Sequence, residues 1–225
     1  MRVIAARLEL DEMVDLLCGP ARESMGEEVD GGRGGTRRIV LPGGKAVYLR
    51  KYLRGGMARF VSRDLYLRRP PRPLRELLIT EKARAAGCRV PAVVAVCIEE
   101  AGLFYRGWIV TSALDATRAL IAEYLDTESD SRHKELLLAA GRSIRAIHDA
   151  GVYHPDLTGN NLLVGTDDSV SIIDFDRAVL ARPNLARLAE RGKDRFWRSM
   201  TGLCRAAGKE LDSAQKRWLD RGYQR

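Results

Sequence analysis

A chain of 225 residues can build one sizeable domain or two small lobes sharing a cleft, and 45% apolar residues suffice for a packed core. The net charge of +8 favours an anionic partner, and without a stacking aromatic platform nucleic acid is not expected among them. No long apolar leader opens the chain, the longest apolar run (Pro91–Ile98) is far too short to span a bilayer, and Cys18, Cys88, Cys97 and Cys204 show neither zinc spacing nor a disulfide framework. A cytoplasmic protein, soluble or peripheral, is expected.

Residues 5–18 predict a short, partly helical leading segment around Leu8, Leu10, Met13, Val14 and Leu17. Gly31, Gly32, Gly34 and Gly35 then cluster within Gly26–Thr36. Such a turn near a hairpin lets backbone N–H groups approach phosphates closely. Strands are predicted over Arg38–Leu41 and Ala46–Leu53, joined by a turn at Pro42–Gly44. Arg50 and Lys51 alternate faces near the end of the second strand, so only one can serve as a phosphate-side cation. Arg50 is the first candidate and Lys51 the fallback.

Residues 50–75 carry nine Lys or Arg against the single acid Asp64, interleaved with apolar residues. That pattern suits phosphates or an anionic membrane. A helix is predicted over Leu74–Ala86 with Gly87 as its cap. Glu76, and after it Glu81, is the candidate carboxylate to hold the strand cation. Val90–Glu99 and Leu103–Thr111 read as two more strands of an antiparallel sheet, followed by a hinge at Thr111–Leu114. Beyond it the periodicity turns helical over Thr117–Leu125 and Ser131–Ala150, the latter stopped by Gly151.

The most informative stretch is Tyr153–Asp176. Asn161 lies five residues after Asp156, and Asp174 eighteen after it. Between them, Leu162–Val164 and Val170–Ile173 flank Gly165–Ser169 and predict a tight hairpin. That hairpin brings Asn161 and Asp174 out at one end, beside the Asp156 loop. Oxygen groups converging in this way suit Mg²⁺ and a hydroxyl to be deprotonated. His148 and His154 are expected to be packed, structural histidines. Residues 183–219 read as two or three helices with a basic outer face.

His154-Pro155-Asp156 with Asn161, followed by Asp174-Phe175-Asp176, resembles the catalytic and metal loops of protein-kinase-like phosphotransferases. The longer matches are GGRGGT (31–36), YLRKYLRGGMARFVSRDLYL (48–67), RPLRELL (72–78), HPDLTGNNLLV (154–164) and IIDFDRA (172–178). On these the chain resembles the lipopolysaccharide kinase family, most closely its members acting on 3-deoxy-D-manno-octulosonic acid (Kdo).

The resemblance implies an α+β, protein-kinase-like two-lobe fold, with a nucleotide-binding N-lobe over 1–113 and a C-lobe over 114–225. It implies ATP with Mg²⁺, a Kdo-bearing lipid A precursor as acceptor, and peripheral work at the cytoplasmic face of an anionic inner membrane. Carried over by position, Asp156 is the catalytic base, Asn161 and Asp174 are metal ligands, and Arg50 is the nucleotide-side cation. Three departures speak against a phospho-regulated protein kinase: Asp176 replaces the third-position glycine, Arg50 replaces lysine, and Pro155 stands where protein kinases carry arginine. A heptose kinase of the same family, a small atypical protein kinase and a non-catalytic nucleotide-binding scaffold are the rival readings.

Overall fold

The computed structural model describes residues 2–5, 11–29, 35–53, 64–67, 70–114, 117–180 and 185–224. They fall into two units, residues 1–78 with 92–113 and residues 79–91 with 114–225. Residues 79–91, expected in an N-terminal lobe ending at 113, thus belong with the helical unit.

The first unit is built on an antiparallel sheet of β1 (Arg2–Ala5), β2 (Glu27–Glu28), β3 (Thr36–Val40), β4 (Ala46–Lys51), β5 (Tyr66–Leu67), β6 (Val93–Ala101) and β7 (Phe104–Ser112). The strand order is β1-β6-β7-β4-β3-β2, with β5 paired to β7. The β6–β7 hairpin forms its centre, and this explains why Val93–Ile98 is apolar without alternation: both faces are covered. On one face, Leu49, Val94, Cys97, Trp108 and Val110 pack with Leu17 and Cys18 of α1 (Asp11–Cys18). On the other, Val93, Val96, Ile98, Tyr105 and Ile109 pack with Leu74 and Leu77 of α2 (Arg72–Ala85).

The cysteine expectation is corrected here. Cys18 and Cys97 form a disulfide, with Cα atoms 5.5 Å apart, that fastens α1 to the sheet. The partners lie 79 residues apart, and only the packing of α1 on β6 reveals them. The strands β1, β2 and β5 were not expected either. β2 and β5 are two residues long, too short for period-2 alternation to register.

The second unit comprises β8 (Arg118–Ala119), α3 (Leu120–Asp126), α4 (Asp130–Asp149), β9 (Val152–Tyr153), β10 (Leu162–Val164), β11 (Val170–Ile172), β12 (Val179–Leu180), α5 (Leu185–Ala206) and α6 (Ser213–Gln224). The Ser129 side chain caps α4 by accepting the Arg132 N–H. Leu136, Leu137, Ala140, Ile144 and Ile147 of α4 form the core with Phe196, Met200 and Cys204 of α5 and Leu219 of α6. Gly141 makes the close α4–α6 approach possible, since a Cβ there would stand 2.7 Å from the Tyr223 backbone nitrogen.

His148 is buried against α5 and α6, as the sequence reading expected of a packed histidine. Its Nδ1 is hydrogen-bonded to the Tyr223 hydroxyl at 2.9 Å, and a Cβ on Gly192 would lie 3.0 Å from Nε2. Burial is the main cause that lowers its pKa to about 4, outweighing the opposing pull of Asp149. Below pH 6.5 the unfolded chain takes up a proton that folded His148 refuses until about pH 4, so stability is lost as pH falls through this window. The expected loss between pH 7 and pH 5 is about 2 kcal/mol. His148→Gln removes this part of the slope, which denaturant unfolding of both proteins at the two pH values will measure.

Candidate active site

The β10–β11 hairpin forms in the expected place, with Leu162 opposite Ile172 and Val164 opposite Val170. Its open end is closed by the Ile173 N–H donating to the Asn161 carbonyl at 3.0 Å. Asn161 and the residue preceding Asp174 are therefore cross-strand neighbours. Asp174 itself is left-handed, at φ 64° and ψ 65°, where an L-residue with a Cβ is strained.

The Asp156 loop is tied to the same end. Asn161 Nδ2 donates to the Asp156 backbone carbonyl at 2.9 Å, which leaves the amide oxygen of Asn161 as an acceptor. The Asp156 N–H donates to His154 Nδ1 at 3.2 Å, and His154 Nε2 donates to the Ile173 carbonyl at 3.2 Å. One neutral tautomer satisfies both bonds, and burial lowers the pKa of His154 and keeps it neutral. With 0% of its surface exposed and its ring edge-on to Phe175 at 5.2 Å, His154 is a brace for the loop and cannot reach a substrate.

The Asp156 side chain is partly exposed, at 35%. Arg177 Nη1 donates to its Oδ2 at 3.1 Å, and Arg195 Nη2 of α5 lies 3.8 Å from Oδ1. The sequence reading assigned neither arginine a role. Arg177 follows the Asp-Phe-Asp triplet directly, and a one-turn 3-10 helix over Phe175–Arg177 turns it back toward Asp156.

No group of three or more His, Cys, Asp or Glu able to hold a metal occurs among the described residues. The expected set contains one aspartate, Asp174, and one amide, Asn161. Its fit to a hard cation rests on donor type, a carboxylate at Asp174 and an amide oxygen at Asn161 oriented by its own NH₂ bond.

The nucleotide-side residues lie in the first unit. Arg50 Nη2 donates to both Glu76 oxygens at 2.6 Å, and the Tyr52 hydroxyl donates to Glu76 Oε2. Glu76 is only 4% exposed. Lys51, on the opposite face of β4, is instead paired with Glu23 at 2.8 Å and Asp64 at 3.0 Å, beneath the Trp108 ring. Glu81 pairs with Arg84 along its own helix. Tyr52 was missed by sequence reading, although its place two residues after Arg50 puts it on the same strand face.

Of the glycine cluster, Gly31, Gly32 and Gly34 lie outside the described residues, as do Arg54, Arg59, Arg63, Arg68 and Arg69 of the basic segment. Gly35 is described: at φ 82° it accepts the Lys51 N–H at 2.8 Å, and Val29 donates to the Thr36 carbonyl at 3.0 Å. The two ends of the 30–34 stretch are thus held together by the β2–β3 pairing.

Residues 22–223 match the model of the lipopolysaccharide kinase (Kdo/WaaP) family. The chain belongs to this family. It is 36% identical over 198 residues to a 3-deoxy-D-manno-octulosonic acid kinase of Xanthomonas oryzae pv. oryzae (strain PXO99A), covering 86% of this chain and 77% of the relative. A 3-deoxy-D-manno-octulosonic acid kinase of Xylella fastidiosa (strain M23) is 33% identical, with 79% and 76% covered. The crystal structure of WbdD superposes with a TM-score of 0.53 at 20% identity, over 89% of this chain and 41% of that one, a likeness of fold alone.

As a lipopolysaccharide kinase, the protein is a phosphotransferase with a sugar hydroxyl as acceptor, and kinase chemistry implies ATP. The expected α+β, protein-kinase-like fold holds for it: an antiparallel sheet unit and a mainly helical unit.

The Arg50–Glu76–Tyr52 cluster couples charge to burial. Removing the carboxylate strips a half-buried guanidinium and a buried hydroxyl of this partner. Glu76→Ala should cost about 3 kcal/mol, whereas Tyr52→Phe should cost about 1 kcal/mol. Urea unfolding of the two variants will rank them, and equal losses would show that the charge pair is not the principal contribution.

Proposed function

We propose that the protein transfers the γ-phosphoryl group of Mg²⁺-bound ATP to a hydroxyl of Kdo on a lipid A precursor. The observation that carries this reading is the closure of the β10–β11 hairpin, which sets Asn161 and Asp174 beside the Asp156 loop in a chain 36% identical to 3-deoxy-D-manno-octulosonic acid kinases.

Asp156 orients the acceptor hydroxyl and takes its proton as the new O–P bond forms and the bond to the β-phosphate oxygen breaks. The Asn161 amide oxygen and the Asp174 carboxylate would hold Mg²⁺, which would offset charge on the transferring group. Arg50, oriented by Glu76, meets the α/β-phosphates. Most of the acceleration comes from positioning and fixed electrostatics. His154 keeps the loop in place and stays neutral.

We further infer peripheral attachment to the anionic cytoplasmic face of the inner membrane. No helix among the described residues is long and apolar enough to cross a membrane. α5 offers another means of contact. At 3.6 residues per turn, Arg187, Arg191, Arg195, Arg198 and Arg205 fall within an arc of about 80°, along about 27 Å of helix. Arg187, Arg191, Arg198 and Arg205 are exposed, and none of the four is ion-paired among the described residues. Cations placed in this way gain roughly 1 kcal/mol each at an anionic surface. The Cys18–Cys97 disulfide is 0% exposed at both residues, which keeps it from an attacking thiolate.

Transfer of label from γ-labelled ATP tests the activity. Mg²⁺-dependent labelling is expected on Kdo-bearing lipid A precursor, not on the lipid lacking Kdo nor on a heptose acceptor or a protein, and Asp156→Asn should reduce it by at least about a thousandfold. Near-normal turnover by this variant would remove Asp156 from the role of base. For the membrane, cosedimentation should show binding to anionic phospholipid vesicles and not to zwitterionic ones. Replacing Arg187, Arg191, Arg198 and Arg205 together by Gln should weaken that binding at least about tenfold, and unchanged binding would rule out this face.

A further inference from the structure

The Asp156 carboxylate is flanked by two guanidinium groups that differ in origin and closeness. Arg177, two residues after the metal-side Phe175 turn begins, makes the direct hydrogen bond at 3.1 Å. One carboxylate oxygen is thereby held, and the orientation of the base is set by this contact. Arg195 approaches the other oxygen from α5 and stops at 3.8 Å, too far for a good hydrogen bond. Its side chain is 39% exposed, so its remaining donors are open to a ligand.

Two guanidinium groups thus meet at the carboxylate that must touch the acceptor hydroxyl. Asp174, Asp176, Glu190 and Asp194 are the other acids near these arginines in sequence. Asp176 follows the Asp174–Phe175 turn, and Asp194 is exposed to solvent. Elsewhere basic side chains pair along their own helix, as Arg145 does with Asp149 at 2.7 Å and Lys193 with Glu190 at 3.0 Å. Arg195 has a partner only in Asp156 among the described residues. A guanidinium offers a planar fork that matches a carboxylate with two parallel N–H···O bonds.

We propose that Arg195 is a specificity residue that binds the carboxylate of the acceptor sugar acid and thereby presents a hydroxyl of the same ring to Asp156. The inference rests on the reading of the protein as a kinase acting on Kdo, an acid whose ionised carboxylate and hydroxyls share one ring. Arg177 keeps Asp156 in place, and Arg195 reads the substrate. A neutral sugar of similar size would leave Arg195 without its anion, and it would be a poorer acceptor for that reason alone.

The test is steady-state kinetics of the full chain with Kdo-bearing lipid A precursor and with the same lipid carrying the Kdo carboxylate as its methyl ester. The wild type should prefer the acid roughly ten- to hundredfold in acceptor kcat/KM, the range of a charge-assisted hydrogen bond. Arg195→Gln should lose most of that preference through acceptor KM, with the KM for ATP unchanged and the melting temperature preserved. Arg195→Lys should recover part of it.

Equal use of acid and ester by the wild type overturns the subsite while leaving the kinase reading intact. A loss in Arg195→Gln that is the same on both acceptors, or that appears in the KM for ATP, assigns Arg195 to the phosphoryl group instead and also overturns it. No Mg²⁺-dependent labelling of either lipid by the wild type overturns the Kdo reading and this proposal with it.

Discussion

The chemistry of the helical unit depends on how one hairpin is closed. The Ile173 N–H to Asn161 carbonyl bond fixes the last pair of the β10–β11 ladder, and the chain then has a single residue in which to reverse. That residue is Asp174, and the left-handed turn is the consequence. Its strain, on the order of 1 kcal/mol or more, is offset because the next residue is anchored. Phe175 is 1% exposed and packs edge-on against His154. His154 in turn binds the Ile173 carbonyl and the Asp156 N–H, so one buried ring links the Asp174 and Asp156 loops. Replacing any part of this chain of contacts moves the others.

Charge is arranged by a second rule. The protein carries a net charge of +8, yet most of its buried or half-buried cations are matched with acids close by. Arg22 lies over Trp108 and holds Glu99, Lys51 bridges Glu23 and Asp64, and Arg132 spans Glu123 and Asp168. The excess shows on one face of α5, where Arg187, Arg191, Arg198 and Arg205 are exposed and not ion-paired among the described residues. Solvated ion pairs would contribute little to stability there. The middle member of this stripe, Arg195, is the arginine that reaches Asp156.

Much of this arrangement was legible from residue order. The spacing of Asp156, Asn161 and Asp174 around two short apolar runs predicts the hairpin within one residue of its observed ends. Strand alternation correctly separates Arg50 from Lys51, and the packing sends them to Glu76 and to Glu23 with Asp64. What stayed hidden depends on distance along the chain. The Cys18–Cys97 disulfide joins residues with no local pattern in common. Tyr52 is unremarkable until the Glu76 carboxylate is placed above it. Arg195 is separated from Asp156 by 39 positions in the sequence, and nothing short of the packing of α5 brings the two together. Two-residue strands such as β2 and β5 escape because two residues cannot express a period.

The third residue of the Asp-Phe-Asp triplet shows how these local facts bear on regulation. Protein kinases place glycine there, and its conformational freedom allows the preceding phenylalanine to leave its pocket. Here Asp176 carries a Cβ and lies in a 3-10 turn closed by the Ala178 N–H to the Phe175 carbonyl at 3.0 Å. Phe175 is fully packed, and Arg177 is committed to Asp156. A flip of the triplet would have to unpack the ring, break the turn and release the base contact in a backbone that lacks the glycine to absorb the change. The packed Phe175 ring, the turn behind it and the Arg177–Asp156 contact therefore all oppose such a flip.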